Sequence, residues 1–163
     1  MRHFEPQTDR VRVRFAQTQT VHAEPAAVFP LLCPVREYDW LPGWDCRLVY
    51  TESGVAERGC IFQTVDPGDG GVDTWVVSHH EPATRVGFVR VNPLRAIQYD
   101  IHLSPNADGS TTLEWQQVIT ALDEKGDHHV AALEEEDFKA RIKSLETKLD
   151  HYLATGEPLK TAS

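Results

Sequence analysis

At 163 residues, 40% hydrophobic and 25% charged, the chain has the apolar content of one domain with a real core. Sixteen Lys and Arg against twenty-five Asp and Glu leave a formal net charge of −9, which argues against nucleic acid and anionic membrane surfaces as partners. No apolar run approaches the length of about 18 residues that a spanning helix needs, MRHFEPQTDR lacks the apolar core of a signal peptide, and Cys33, Cys46 and Cys60 offer no CxxC spacing for zinc. These totals point to one cytoplasmic domain over residues 1–163, with reduced thiols and no membrane insertion.

Residues 1–9 read as a lead-in. VRVRFAQTQTV then alternates: Val11, Val13, Phe15, Gln17, Gln19 and Val21 share one face, with Arg12, Arg14, Thr18 and Thr20 on the other. That is a half-buried strand. HAEPAAVFPLLCPVREYDWLPGW breaks the alternation, and its prolines divide it. Pro25 suits a first helical turn, whereas Pro30 ends or kinks a helix near Phe29. Two short helices are predicted, about 25–32 and 35–40, burying Val28, Phe29, Leu31, Leu32 and Trp40.

Six further strands follow: WDCRLVYTE, CIFQTVD, VDTWVVSHH, RVGFVRV, RAIQYDIHL and TTLEWQQVITALD. The short turns between them, PGDGG among them, imply an antiparallel meander. EKGDHHVAA leads into the last element, where Phe138, Ile142, Leu145, Leu149 and Tyr152 or Leu153 recur at helical spacing. Acidic residues crowd its start, and Gly156 with Pro158 ends it. Glu135–Lys139 and Asp137–Arg141 are spaced as i,i+4 pairs. The resulting class is α+β: a seven-stranded curved antiparallel sheet wrapped around a long C-terminal helix, with two short helices after the first strand.

Period two assigns the inward faces. Ile97, Tyr99, Ile101 and Leu103 form one apolar set, and Leu113, Trp115, Gln117 and Ile119 another. Trp75, Val77 and His79 are taken as inward in the fourth strand. In the fifth, Phe88 and Arg90 alternate with Gly87, Val89 and Val91, and the sequence does not choose between the two faces. An inward Gln117 or Arg90 needs a partner, because a buried amide or guanidinium left alone costs several kcal/mol, roughly. Backbone or water serves Gln117 and a helix carboxylate such as Glu134 or Glu135 serves Arg90, or else both orient a ligand. Trp40 and Trp44 flank LPG; aromatics of this kind most often fill a core, and the functional reading of this pair is a hydrophobic gate at the mouth.

Adjacent His79-His80 and His128-His129 do not have chelating spacing, and solvated or capping roles are expected of them. No GxSxG, GxGxxG or P-loop occurs. No metal and no cofactor is expected.

The order of elements, VHAEPAAVFPLL, WLPGW, TWVVSHHEPATRVGFVRV and LEWQQVITAL before a long helix together resemble the START/Bet v 1-like (SRPBCC) superfamily, in its polyketide cyclase/dehydrase-type branch. The resemblance covers roughly residues 11–156 and implies a helix-grip fold with a deep hydrophobic cavity. It implies a small hydrophobic ligand, lipid-like or aromatic polyketide-like, bound by a monomer or homodimer. The residues expected at the ligand are Trp40, Trp44, Trp75, Phe88, Arg90, Tyr99, Ile101, Trp115, Gln117, Glu135, Phe138 and Ile142. The alternative is a cyclase or dehydratase in the same cavity, in which Arg90 stabilises an enolate and Tyr99 or His79 moves a proton. A second alternative is a co-chaperone-like interaction module with a collapsed cavity.

Overall fold

The computed structural model describes residues 9–160; the lead-in read over residues 1–9 lies almost wholly outside them. The alternating segment forms β1 (Arg12–Val21), with Phe15, Gln19 and Val21 buried and the arginines and threonines out. Next come α1 (Pro25–Val28), a 3-10 turn (Phe29–Leu32) that accommodates Pro30, and α2 (Glu37–Trp40), each shorter than the sequence suggested. The remaining strands are β2 (Arg47–Tyr50), β3 (Ile61–Asp66), β4 (Gly71–Glu81), β5 (Arg85–Val91), β6 (Arg95–Pro105) and β7 (Thr111–Ala121). They form one antiparallel sheet in the order β1-β7-β6-β5-β4-β3-β2. The meander is as expected, and β1 closes it on the far side of β7.

The PGDGG turn is as read, and one element departs from the sequence reading. PGDGG is a 3-10 turn (Pro67–Asp69) in which the Asp66 side chain accepts from the Gly68 N–H. EKGDHHVA is a helix in its own right, α3 (Glu124–Ala131), N-capped by Asp123, which accepts from the Gly126 N–H. The long helix, α4 (Glu135–Thr155), stops at Gly156 in the left-handed conformation, whose N–H donates to the Tyr152 carbonyl at 2.7 Å. Its stripe is as read: Phe138, Ile142 and Leu149 are buried, and Leu145, Tyr152 and Leu153 pack partly against the core. Lys139 lies 3.9 Å from Glu135, but Arg141 has no ion pair with Asp137.

What fixes α4 against the sheet is the free edge of β1. Gln19 donates to the Ile142 carbonyl at 3.0 Å. The Thr20 N–H donates to Glu146 at 3.0 Å and the His22 N–H to Asp150 at 2.7 Å. At the other end of β1, the Val11 N–H donates to Asp127 of α3 at 2.8 Å. The helices thus satisfy edge donors that have no neighbouring strand.

At one end of the sheet a buried ion network ties β4, β5 and β6 to α3. Arg90 donates to Asp73, and Arg95 forks onto Asp73 at 2.7 and 2.6 Å and onto Asp69 at 2.5 Å. His129 meets the other Asp69 oxygen at 2.6 Å. Arg95 is fully buried and Asp73 nearly so. This corrects two expectations. Arg90 pairs with Asp73 of the adjacent strand, not with Glu134 or Glu135, and His129 is an ion-network residue. Burial pushes the Asp69 carboxyl up, but Arg95, His129 and Arg90 outweigh it and hold the group below its usual range.

Removing one partner from such a network leaves uncompensated buried charge. Asp73→Asn is expected to destabilise the fold by about 3–5 kcal/mol, measured by urea unfolding. Gly126 lies where a Cβ would sit 2.0 Å from the Leu94 carbonyl oxygen, which itself accepts from the Leu122 N–H at 3.0 Å. Gly126→Ala should therefore lower Tm, although alanine favours an isolated helix by about 1 kcal/mol.

Candidate functional site

Because α4 is anchored at the β1 side, the aromatic residues of β3–β7 face open volume. A cavity of about 290 Å³ lies between them and the helices. Its wall is a chain of ring contacts across successive strands. Phe62 stacks on Trp75 at 5.2 Å, and Trp75 meets Phe88 edge-on at 5.6 Å. Phe88 meets Tyr99 at 6.1 Å, and Tyr99 meets Trp115 at 5.8 Å. Strand register sets these contacts, pairing Phe62 with Trp75, Phe88 with Tyr99 and Ile101 with Trp115. Leu145 of α4 and Leu32, Leu41 and Trp44 from the α1–α2 region close the hollow.

The polar groups in this chamber differ in how they are held. Arg90 bonds Asp73 and lies over the Trp75 ring, 4.1 Å from its centroid. Burial lowers its pKa, with Asp73 acting in the opposite sense. Burial likewise drives the Tyr99 hydroxyl well above its ordinary value, against the pull of Arg90 and Arg141. Gln117 is paired with Tyr99 in the β6–β7 register and is buried. The Trp115 Nε1–H is buried without a hydrogen-bond partner. Arg141 of α4 lines the chamber and has no ion pair among the described residues.

Glu37 also lines the chamber, from α2. The residue is half-buried, and its carboxyl has neither a hydrogen-bond nor an ion-pair partner among the described residues. Burial alone pushes that carboxyl up to about 8.

Two further hollows adjoin. One, about 290 Å³, lies past Arg90, Gln117 and Arg141, between Phe15, Phe138 and the ion network. The other, about 370 Å³, lies under the short helices, lined by Phe29, Cys33, Val55, His80 and Val86. Leu32 borders both this pocket and the aromatic chamber.

Of the residues expected at the ligand, Trp44, Trp75, Phe88, Arg90, Tyr99, Ile101, Trp115 and Gln117 line the aromatic chamber, and Phe138 lines the adjoining hollow. Trp40 is fully buried in the core, its Nε1–H donating to the Leu31 carbonyl at 2.8 Å, and Ile142 is core as well. Glu135 is exposed and pairs with Lys139. His79 is exposed: a bulge between Val77 and His79 breaks the alternation and turns it away from the chamber. His80 instead packs edge-on against Phe29 at 5.2 Å. No cluster of metal-ligating residues occurs among the described residues, and no helix is long and apolar enough to cross a membrane.

Glu37, Arg141, Asp73 and Arg95 were not singled out from sequence. Period two, extended backwards from Trp75 to Asp73 and from Ile97 to Arg95, places the last two on the inner face. Glu37 sits on a helix of one turn, too short for any periodicity to show its face.

A curved antiparallel sheet gripping one long helix over a lined hollow defines the helix-grip class, the START/Bet v 1-like (SRPBCC) superfamily. The chain belongs to the family described as polyketide cyclase / dehydrase and lipid transport, whose model matches residues 12–150. No curated protein matches the sequence. Among solved structures, DynU16, a protein of the dynemicin biosynthetic locus, is similar at 25% identity with a TM-score of 0.59. That match covers 89% of this chain but 48% of DynU16, so the chain spans about half of that protein's length. The Zhui aromatase/cyclase from Streptomyces sp. R1128 matches at 11% identity and TM-score 0.66 over 91% of this chain and 100% of its own. A norcoclaurine synthase point mutant from Thalictrum flavum matches at 14% identity and TM-score 0.65, with the same coverage. These last two likenesses are of fold.

An acid whose pKa is higher folded than unfolded erodes stability as pH rises from the unfolded value toward the folded one, because the unfolded chain releases its proton first. For Glu37 that window runs from the ordinary value of 4.5 to about 8. Glu37→Gln should therefore be close to neutral at the acid end of this window. At the alkaline end it should be stabilising by on the order of 2 kcal/mol, an allowance for partial solvation included. Denaturant unfolding of both proteins across the window measures this.

Proposed function

We propose that this protein encloses one small, largely apolar molecule with a flat aromatic part in the chamber between β3–β7 and α4. The observation that carries this reading is the unbroken run of rings from Phe62 to Trp115 around unfilled volume, with the Trp115 Nε1–H buried and unpartnered inside it. An aromatic wall with polar groups set among it is the usual make-up of a small-molecule site. Affinity would come from desolvating the ligand's rings against Trp75, Phe88 and Tyr99. The volume suits a two- or three-ring compound and is small for a long-chain lipid. The family description, which spans cyclisation, dehydration and lipid transport, supports use of this hollow in general terms.

Catalysis by the residues first considered has less support. Arg90 is neutralised by Asp73 and stacked on Trp75, so it has little left to offer a developing enolate. His79 lies outside the chamber, and a hydroxyl raised as far as that of Tyr99 is a poor base. A co-chaperone-like role is not favoured, because the hollow is open rather than collapsed.

The test is native mass spectrometry of the protein from its source cells, with a bound aromatic compound as the expected result. In parallel, 2-acetylnaphthalene should quench the tryptophan fluorescence with a Kd in the micromolar range. Leu145→Trp, which places a ring in the chamber from a half-buried helix position, should abolish this quenching while circular dichroism stays unchanged. Quenching that survives Leu145→Trp would show that the compound binds elsewhere and overturn the assignment of this chamber.

A further inference from the structure

Glu37 is the chamber group that simple enclosure of an apolar molecule leaves unexplained. It projects from α2 into a hollow whose facing groups are Arg90 from β5, Tyr99 from β6 and Arg141 from α4, with Asp45 and Asp66 at the rim. On its own side, Arg36 and Asp39 pair with each other, Tyr38 bonds Asp45, and the Cys46 thiol is held up by burial. Tyr152 of α4 lies beside Arg36. None of these gives Glu37 a hydrogen bond. A carboxylate in such a place would be partly desolvated and unpaired, and burial raises its pKa to about 8, so the group keeps its proton near neutrality.

A neutral carboxyl has an O–H to give. Two other donors share the chamber: the Trp115 Nε1–H, which has no partner, and the Tyr99 O–H. The acceptors that line the chamber, Gln117 within it and Asp45 and Asp66 toward its edge, leave the Trp115 Nε1–H unpaired, so an acceptor on a ligand has a donor to meet. The Arg141 guanidinium, which has no ion pair among the described residues, makes an ammonium ligand unfavourable, which argues against the opposite arrangement of ionised Glu37 with a bound amine.

We propose that Glu37, as the neutral acid, is a ligand-binding residue that donates its O–H to a carbonyl oxygen, and that the chamber therefore selects neutral aromatic ketones or quinones over hydrocarbons and amines of the same shape. This rests on the enclosure reading above and adds the chemical class of ligand and the residue that selects it. An orphaned buried donor rejects an analogue that cannot accept from it, which turns one hydrogen bond into discrimination.

Three probes of one skeleton test this by tryptophan quenching between pH about 6 and about 10, spanning the Glu37 transition: 2-acetylnaphthalene, 2-isopropylnaphthalene and 1-(2-naphthyl)ethylamine. At the acid end the ketone should bind about tenfold more tightly than the hydrocarbon. That advantage should fade as pH passes the transition, while hydrocarbon binding stays level. Glu37→Gln, whose amide still donates, should keep the ketone's advantage at every pH. Glu37→Leu should abolish it at every pH without weakening the hydrocarbon. The proposal is overturned by a ketone advantage that ignores pH or survives Glu37→Leu. It is equally overturned by an amine that binds better than the ketone at the alkaline end in a Glu37-dependent way. Failure of all three probes to bind would remove the enclosure reading with it, whereas equal binding of ketone and hydrocarbon would remove this proposal alone.

Discussion

The place of α4 over the sheet depends on main-chain donors of β1 that have no strand beside them. Thr20 and His22 give their N–H groups to Glu146 and Asp150 of α4, and Val11 gives its own to Asp127 of α3. Bonds to ionised acceptors are stronger than neutral ones, and the donors would otherwise form an exposed sheet edge open to pairing with another chain. The same contacts draw the helix stripe toward β1. The hydrophobic face of α4 therefore packs toward β1, with Phe138 5.8 Å from Phe15, and the rings of β3–β7 border the chamber. The hollow follows from where the helix is held and needs no special lining to stay open.

Charge is distributed around the hollow in a way that divides labour. The Asp69–Asp73–Arg90–Arg95–His129 network closes one end of the sheet and holds Arg90 rigid against Trp75. A guanidinium so bound acts as part of the wall. Arg141 and Glu37, which line the chamber from helices, lack ion-pair partners among the described residues. The scaffold and the unpaired groups thus come from different elements, with rigid strands opposite helices. Sites of this kind keep their geometry while the helix-borne residues tune selectivity.

Much of the fold was legible in the sequence because period two and period 3.6 are read directly from apolar spacing. The seven strands, the long helix and its stop at Gly156 all follow from such spacing. α3 was missed because Gly126 interrupts its pattern and its histidines mask an N-capped turn at Asp123. The aromatic wall was legible for the same reason as the strands: Tyr99 and Ile101, like Trp115 and Gln117, share a parity. His79 was misplaced because a bulge resets parity, and nothing in VDTWVVSHH announces one. Arg90 was given a partner on α4 because the sequence shows that a buried guanidinium needs a carboxylate but not which strand lies next to it. Glu37 was invisible for a different reason, since a single helical turn between prolines carries no phase.

Leu32 borders both the aromatic chamber and the pocket beneath the short helices. Shortening it would open the chamber toward a second pocket of about 370 Å³ without touching a strand, the long helix or the ion network. The reach of the lumen would then be set by one aliphatic side chain of the short-helix segment rather than by the aromatic wall.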